Sequence, residues 1–281
     1  MSSLYIVATP IGNLTDISQR ALETLKGVDF ILCEDTRHTQ KLLFHYGIKK
    51  PLIAYHQHSC LSKVEQIIDL LRQGKDLALV SDAGTPGISD PGGKLIEAIF
   101  SSPLLISPLT NFACKISEGG ESRGRMNEGE IKIVPIPGPS AITAIASICG
   151  FPMDRFLFLG FPPAKNKRKK FFEEVLGSKY PVIFYESPYR ILKTLEELQL
   201  LRGTDPRQAG GGPSPASLQV VVGRELTKKF ETIYRGTIDE VAKKIKSDSV
   251  GSSILGEFVI VIDKNGGETN ARSGGTNRSR H

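Results

Sequence analysis

Cysteine is scarce in this 281-residue chain, and long hydrophobic runs are missing. The four cysteines (Cys33, Cys60, Cys114 and Cys149) show no C-x-x-C spacing, which speaks against a zinc knot or a redox pair. They read as reduced thiols of a cytoplasmic chain, and with no H-E-x-x-H helix no metal is expected. No stretch approaches the ~20 apolar residues that cross a bilayer, so no membrane partner is expected. The first strand begins at Leu4, and no signal or transit segment is expected before it. Two phosphate-binding signatures are also missing. No G-x-x-x-x-G-K-[ST] frame fits, since Lys94 is followed by Leu95, and no G-x-G-x-x-G dinucleotide fingerprint occurs.

What is present is a set of rigid glycine- and proline-rich loops at strand ends. Ser81-Asp-Ala-Gly-Thr-Pro-Gly-Ile-Ser-Asp-Pro-Gly-Gly93 holds four glycines and two prolines in 13 residues. It follows the apolar run Leu77–Val80 and precedes the helical pattern Lys94–Phe100. Asp82 and Asp90 add two carboxylates at its rim. Thr9-Pro-Ile-Gly-Asn13 closes the strand Leu4–Ala8, and Pro135-Ile-Pro-Gly-Pro-Ser-Ala141 closes Ile131–Val134. Small side chains and fixed backbones let main-chain groups approach a ligand closely. In α/β sheets ligands bind beyond the carboxyl ends of strands. The three loops therefore predict one composite pocket above a sheet, with glycine-assisted turn packing as the plainer alternative.

Strand and helix patterns alternate over residues 1–150, which predicts an α/β fold with a mainly parallel sheet. Residues 151–263 carry fewer helices per strand and predict a mixed sheet. A linker is expected at 149–153, with the pocket between the two halves. Segments 101–130 and 203–217 are rich in Ser, Gly and Pro and read as flexible insertions, and 264–281 as a disordered tail.

Charge is divided unevenly. Residues 1–150 have a net charge of −1 and residues 151–281 a net of +7, from a total of +6. Part of the excess is Lys165-Asn-Lys-Arg-Lys-Lys170, at the start of a predicted helix, where cations oppose the macrodipole. It reads equally as a phosphate-binding run or as a solvated face.

Six segments carry a resemblance: Leu4–Asp16, Cys33–Thr39, Ser81–Gly92, Pro135–Ala141, Phe184–Arg190 and Gly223–Glu231. In order and content they resemble the ribosomal RNA small-subunit methyltransferase branch of the tetrapyrrole methylase superfamily. The resemblance covers about residues 4–263, interrupted by the two insertions. It implies a two-domain class III methyltransferase, usually a homodimer, that moves a methyl group from S-adenosylmethionine to the ribose 2′-hydroxyl of a cytidine in small-subunit ribosomal RNA.

On that reading Pro10, Gly12, Asn13, Asp82, Ala83, Gly84, Thr85, Pro86, Ser140, Ala141 and Tyr185 are expected to line the cofactor site. A ribose hydroxyl is a weak nucleophile and needs a base. Glu186, Asp35 and Glu225 are the candidates, with Glu34 beside them; Glu186 is favoured because it ends a strand facing the expected cleft. Arg37, Arg190 and Arg224 are read as phosphate contacts, together with Lys165, Lys167, Arg168, Lys169 and Lys170. A structural salt bridge competes for each carboxylate, above all Glu186 with Arg190. Two other functions compete: a tetrapyrrole (precorrin-type) biosynthetic methylase, and a non-enzymatic RNA-binding module.

Overall fold

The computed structural model describes residues 2–56, 61–101, 131–203, 218–248 and 254–263. The insertions expected at 101–130 and 203–217, the tail at 264–281, and Cys60 and Cys114 lie almost wholly or wholly outside the described residues. The chain divides into two compact units, Met1–Ser140 and Ala141–His281.

In the first unit, β1 (Ser2–Val7), β2 (Phe30–Cys33), β3 (Leu52–Ala54), β4 (Leu77–Leu79) and β5 (Ile131–Ile136) form a five-stranded sheet in the order β3-β2-β4-β1-β5. Every pairing in it is parallel, as expected. Side chains alternate between the faces of a strand, and the two cores follow that alternation. Leu4, Ile6, Leu32, Leu77 and Leu79 pack on one face against Ile67 and Leu71 of α3 (Leu61–Arg72) and Leu95 and Ile99 of α4 (Gly92–Ser101). Val7, Ile31, Cys33, Ala78 and Val80 pack on the other, against Ala21 and Leu25 of α1 (Gln19–Gly27) and Leu43 of α2 (Thr36–His45). Each buried Leu, Ile or Val contributes about 1.5–3 kcal/mol, and shifting a strand by one residue would exchange its side chains between the two cores and disrupt the packing of both. Pro135 is tolerated within β5 because that strand lies at the sheet edge.

The second unit holds β6 (Leu157–Phe158), β7 (Val182–Glu186), β8 (Gln219–Arg224), β9 (Thr232–Thr237) and β10 (Phe258–Asp263), in the order β6-β7-β10-β8-β9. Only β6–β7 is parallel, which makes the sheet mixed, as expected. α6 (Arg168–Gly177), α7 (Ile191–Gly203) and α8 (Ile238–Ser247) supply Phe172, Leu195, Leu198, Val241 and Ile245 to one core against Phe184, Val222 and Ile260. α5 (Ala141–Ile148) contacts β10, and a Cβ on Gly223 of β8 would lie 3.0 Å from Ile145 Cδ1. That packing groups α5 with the second unit, so the division falls at Ser140–Ala141 and not at residues 149–153.

Candidate active site

All five strands of the first sheet run parallel, so their carboxyl ends share one edge, where the rigid loops meet. Thr9 N donates to Gly84 O (2.9 Å) and Gly84 N donates back to Thr9 O (3.1 Å), forming an isolated antiparallel bridge between the loops after β1 and β4. Thr9 Oγ1 donates to Ser81 O (3.2 Å), and Ser81 Oγ donates to Ala83 O and Gly84 O (3.2 Å each). Thr85 Oγ1 donates to Pro139 O (3.2 Å), tying in the loop after β5. The composite of three loops read from the sequence is therefore laced by main-chain and hydroxyl bonds.

Two glycines make the close approach possible. Gly84 sits at φ +81°, and a Cβ there would meet Ile11 Cγ2 at 3.3 Å and Pro139 O at 3.6 Å. A Cβ on Gly138 would lie 3.0 Å from Ala8 Cβ. Pro10 and Pro86 are buried, whereas Gly12, Asn13, Asp82 and Ala83 are exposed at the rim. Asn13 caps the 3-10 turn Leu14–Asp16, accepting from Thr15 N. Asp90 Oδ1 accepts from Gly87 N (2.8 Å) and Gly92 N (2.7 Å), fixing the far end of the β4 loop ahead of α4. Thr9, Ser81 and Gly138 have structural parts in this edge that composition did not single out. Their signal in the sequence is small polar or absent side chains directly at strand ends.

The edge is negative. Glu34 directly follows β2, the neighbour of β4, and Asp82 Oδ1 accepts from Asp35 N (3.3 Å) across the two strand ends. Among the described residues neither Glu34, Asp82 nor Asp90 forms an ion pair, so their fields add. Burial, reinforced by the charges of Asp82 and Asp90, pushes the Glu34 carboxyl up to about 7.

The other candidate bases are engaged elsewhere. Asp35 caps α2 by accepting from Arg37 N (2.8 Å) and pairs with the Arg37 guanidinium (2.8 Å), bonds that hold it well below the usual carboxylate range. Burial would raise Glu225, but its hydrogen bonds with Lys228 (2.9 Å) and Glu257 N (2.8 Å) win and lower it. The side chain of Glu186 is 0% exposed. Glu186 Oε1 pairs with Arg190 (2.8 Å); Oε2 accepts from Thr194 Oγ1 (2.5 Å) and faces Arg168 (3.5 Å). The favoured base is thus a buried structural carboxylate inside the second unit, with both oxygens engaged.

The same network withdraws Arg168 from the basic run. It is 7% exposed and bonds Glu197 (2.6 Å), Thr194 (2.5 Å) and Pro163 O (3.2 Å), with its guanidinium over Phe172. Arg190 also donates to Ser187 Oγ and Pro162 O, which spends its fork on protein. Arg224 donates to Leu255 O and lies over Phe258. Lys165, Lys167, Lys169 and Lys170 remain exposed, Lys169 within 3.8 Å of Glu173. Tyr185 packs its ring edge-on against Phe158 and tilted against Phe161, and burial pushes its phenol up to about 12.

Among the described residues no cluster of His, Cys, Asp and Glu could hold a metal ion, and no helix is long and apolar enough to cross a membrane.

The chain is 41% identical over 92% of its length to "Ribosomal RNA small subunit methyltransferase I" of Haemophilus influenzae, covering 78% of that protein. It is 39% identical over 93% to the protein of that name in Mycoplasmopsis pulmonis, covering 98% of it. Among solved structures, a cobalt precorrin-4 methyltransferase of cobalamin biosynthesis superposes with a TM-score of 0.57 at 17% identity, covering 92% of this chain and 94% of that one. A uroporphyrin-III C-methyltransferase from Thermus thermophilus superposes at 0.52 and 15%, covering 93% and 94%. The model of the Tetrapyrrole (Corrin/Porphyrin) Methylases matches residues 3–103 and 122–242, and the chain belongs to that family of methyltransferases.

Proposed function

We propose that this protein methylates the ribose 2′-hydroxyl of a cytidine in small-subunit ribosomal RNA, using S-adenosylmethionine as donor. The observation that carries the reading is the near-full-length similarity, at 37–41% identity, to proteins named for small-subunit ribosomal RNA methylation. The residues at the sheet edge fit the donor. Gly84 and Gly138 let the strand-end loops pack closely against Ile11 and Ala8, where a Cβ would crowd its neighbours, and so hold the main chain of this edge in place. The carboxylates of Glu34, Asp82 and Asp90, none of them in an ion pair among the described residues, suit a cationic centre. The loops 9–13 and 82–86, with Ser140, would hold it. When bound, it supplies a methyl group on a sulfonium, which needs no metal for transfer to an oxygen.

The chain's own contribution is position and proton handling. Asp82 and the carbonyls of the β4 loop are fixed by the lacing bonds and need little reorganisation on binding. Glu34 is the base: in no ion pair among the described residues, beside those loops, and ionised above about pH 7. It would accept the proton that the hydroxyl releases as the methyl group passes from the sulfonium sulfur, left as a neutral thioether, to the oxygen. The reading brings with it a homodimer and a cytoplasmic location, where ribosomal subunits are assembled.

The test is transfer of labelled methyl groups to small ribosomal subunits from a strain lacking the modification, mapped by nucleoside mass spectrometry. A single 2′-O-methylcytidine is expected. Methylation of a base or of a tetrapyrrole, with no ribose product, would overturn the reading.

A further inference from the structure

α2 begins two residues after Glu34 and leads away from the sheet edge. Thr36, Gln40, Leu43 and Phe44 recur at the spacing that puts them on one helix face. They form one wall of a groove of about 790 Å³ whose other wall is Ile48–Leu52, ahead of the edge strand β3. Leu43 and Ile48 are buried at 3% and 6% and give the groove an apolar floor, while Phe44 stands 85% exposed. The lining includes Lys49 and Lys50 and no carboxylate. Neither lysine forms an ion pair among the described residues; the field of Lys50 also reaches Asp29, which leaves Lys49 the freer of the two. Lys41 and Arg37 stand exposed on the same helix, Arg37 tied to Asp35.

An exposed aromatic ring beside unpaired cations is the combination that grips single-stranded nucleic acid, since every base can stack and every linkage carries a phosphate. A purely apolar partner would leave the two lysines desolvated without a counter-charge. The ten residues of α2 span about 15 Å, so a strand whose acceptor ribose lies at Glu34 has room for flanking nucleotides along the groove. We propose that this groove holds unpaired nucleotides flanking the methylated one, led along α2 from Glu34, with Phe44 stacked on a base and Lys49 and Lys50 on phosphates. The inference rests on the reading of the protein as an RNA methyltransferase.

The test measures affinity for a short unstructured RNA and for small ribosomal subunits across a salt series. Phe44→Ala is expected to weaken both by about tenfold, with Phe44→Tyr restoring most of the loss. Lys49→Ala with Lys50→Ala is expected to flatten the slope of log affinity against log salt by about 1.4, two phosphate contacts' worth on a single strand. Melting temperature and S-adenosylmethionine affinity are expected to stay unchanged, because these side chains lie on the surface. Unaltered RNA affinity in Phe44→Ala would overturn the proposal. So would a shift of Phe44→Ala from dimer to monomer in sedimentation with RNA affinity per protomer intact, since the face would then join two copies of the chain. If the wild-type protein methylates no RNA but these variants still lose RNA affinity, the functional reading fails and the groove stands. If wild-type methylation is normal and the variants match it in KM, the groove alone fails.

Discussion

A general base must be free of ion pairs and must hold its proton near the working pH. Three of the four candidate carboxylates fail the first condition. Asp35 is held by Arg37, Glu225 by Lys228 and Glu186 by two arginines. Glu34 meets both, lifted to about 7 by burial and by Asp82 and Asp90. The rate of wild-type methyl transfer is expected to rise about tenfold per unit below pH 7 and to level off above it. Glu34→Gln is expected to lose ~100-fold in kcat and that pH dependence with it. A stability measurement separates the same group from the rest. Its native pKa lies above the unfolded value near 4.5, so the native state binds the proton more tightly. The stability it lends is complete below about pH 4.5 and is lost as pH rises through about 7. Denaturant midpoints should therefore show Glu34→Gln gaining on the wild type at pH 8 but not at pH 4. Glu186→Gln is expected to behave oppositely, losing about 3–5 kcal/mol of stability, because it leaves Arg168 and Arg190 short of a buried counter-charge. Wild-type stability in Glu186→Gln, with turnover lost, would return the base role to it. The sequence placed all four candidates in motifs but favoured Glu186 because it ends a strand facing the expected cleft, beside Tyr185 and Arg190. Arg168 and Thr194 reach Glu186 across 18 and 8 residues of sequence. Such tertiary pairing has no local signature.

At the scale of elements, the strand-end loops depend on backbone conformation more than on side chains. Gly84 combines φ +81° with Ile11 Cγ2 at 3.3 Å and Pro139 O at 3.6 Å from the Cβ it lacks. Gly84→Val puts a β-branched residue where L residues are strained by roughly 1–2 kcal/mol and pushes the β4 loop off Thr9. Calorimetry is expected to show no measurable S-adenosylmethionine binding by this variant, with the melting transition lowered but still cooperative. Unchanged affinity would remove the loop from the cofactor site. These loops were legible because glycine and proline mark them directly, and the strands before them because both faces are buried. β1, β4, β8 and β10 read as near-continuous apolar runs for that reason. β9 was not legible. It is an edge strand of six residues with only Tyr234 buried, so neither alternation nor an apolar run announces it, and its register comes from pairing with β8. The allegiance of α5 was hidden too, because Ile142 and Ile145 signal a buried face without naming what covers it.

Over the whole molecule, the positive excess lies in residues 151–281, at +7 against −1 for residues 1–150. The sequence shows five cations in six residues at 165–170 but not which of them face solvent. Arg168 turns inward to Glu197 and Glu186, which gives the run a structural anchor. The four lysines around it stay exposed at the start of α6, whose N-cap, Lys167 at φ +66°, makes no side-chain capping bond. Cations there oppose the helix dipole, so local stability does not account for them; contact with RNA phosphates is the role proposed for them. Such contacts position RNA without reading its sequence. Replacing Lys165, Lys167 and Lys170 together with Ala is therefore expected to weaken binding alike for cognate subunits and unrelated RNA. The slope of log affinity against log salt should flatten by about 2 for single-stranded RNA. Relief of the dipole clash should leave the melting temperature unchanged or slightly raised, and S-adenosylmethionine affinity should not move. Arg168→Ala should instead lower the melting temperature, because it removes the partner of Glu197 and a counter-charge of buried Glu186. If the triple lysine variant keeps the wild-type salt slope, the run is a solvated helix face and the RNA is steered by other cations of the chain.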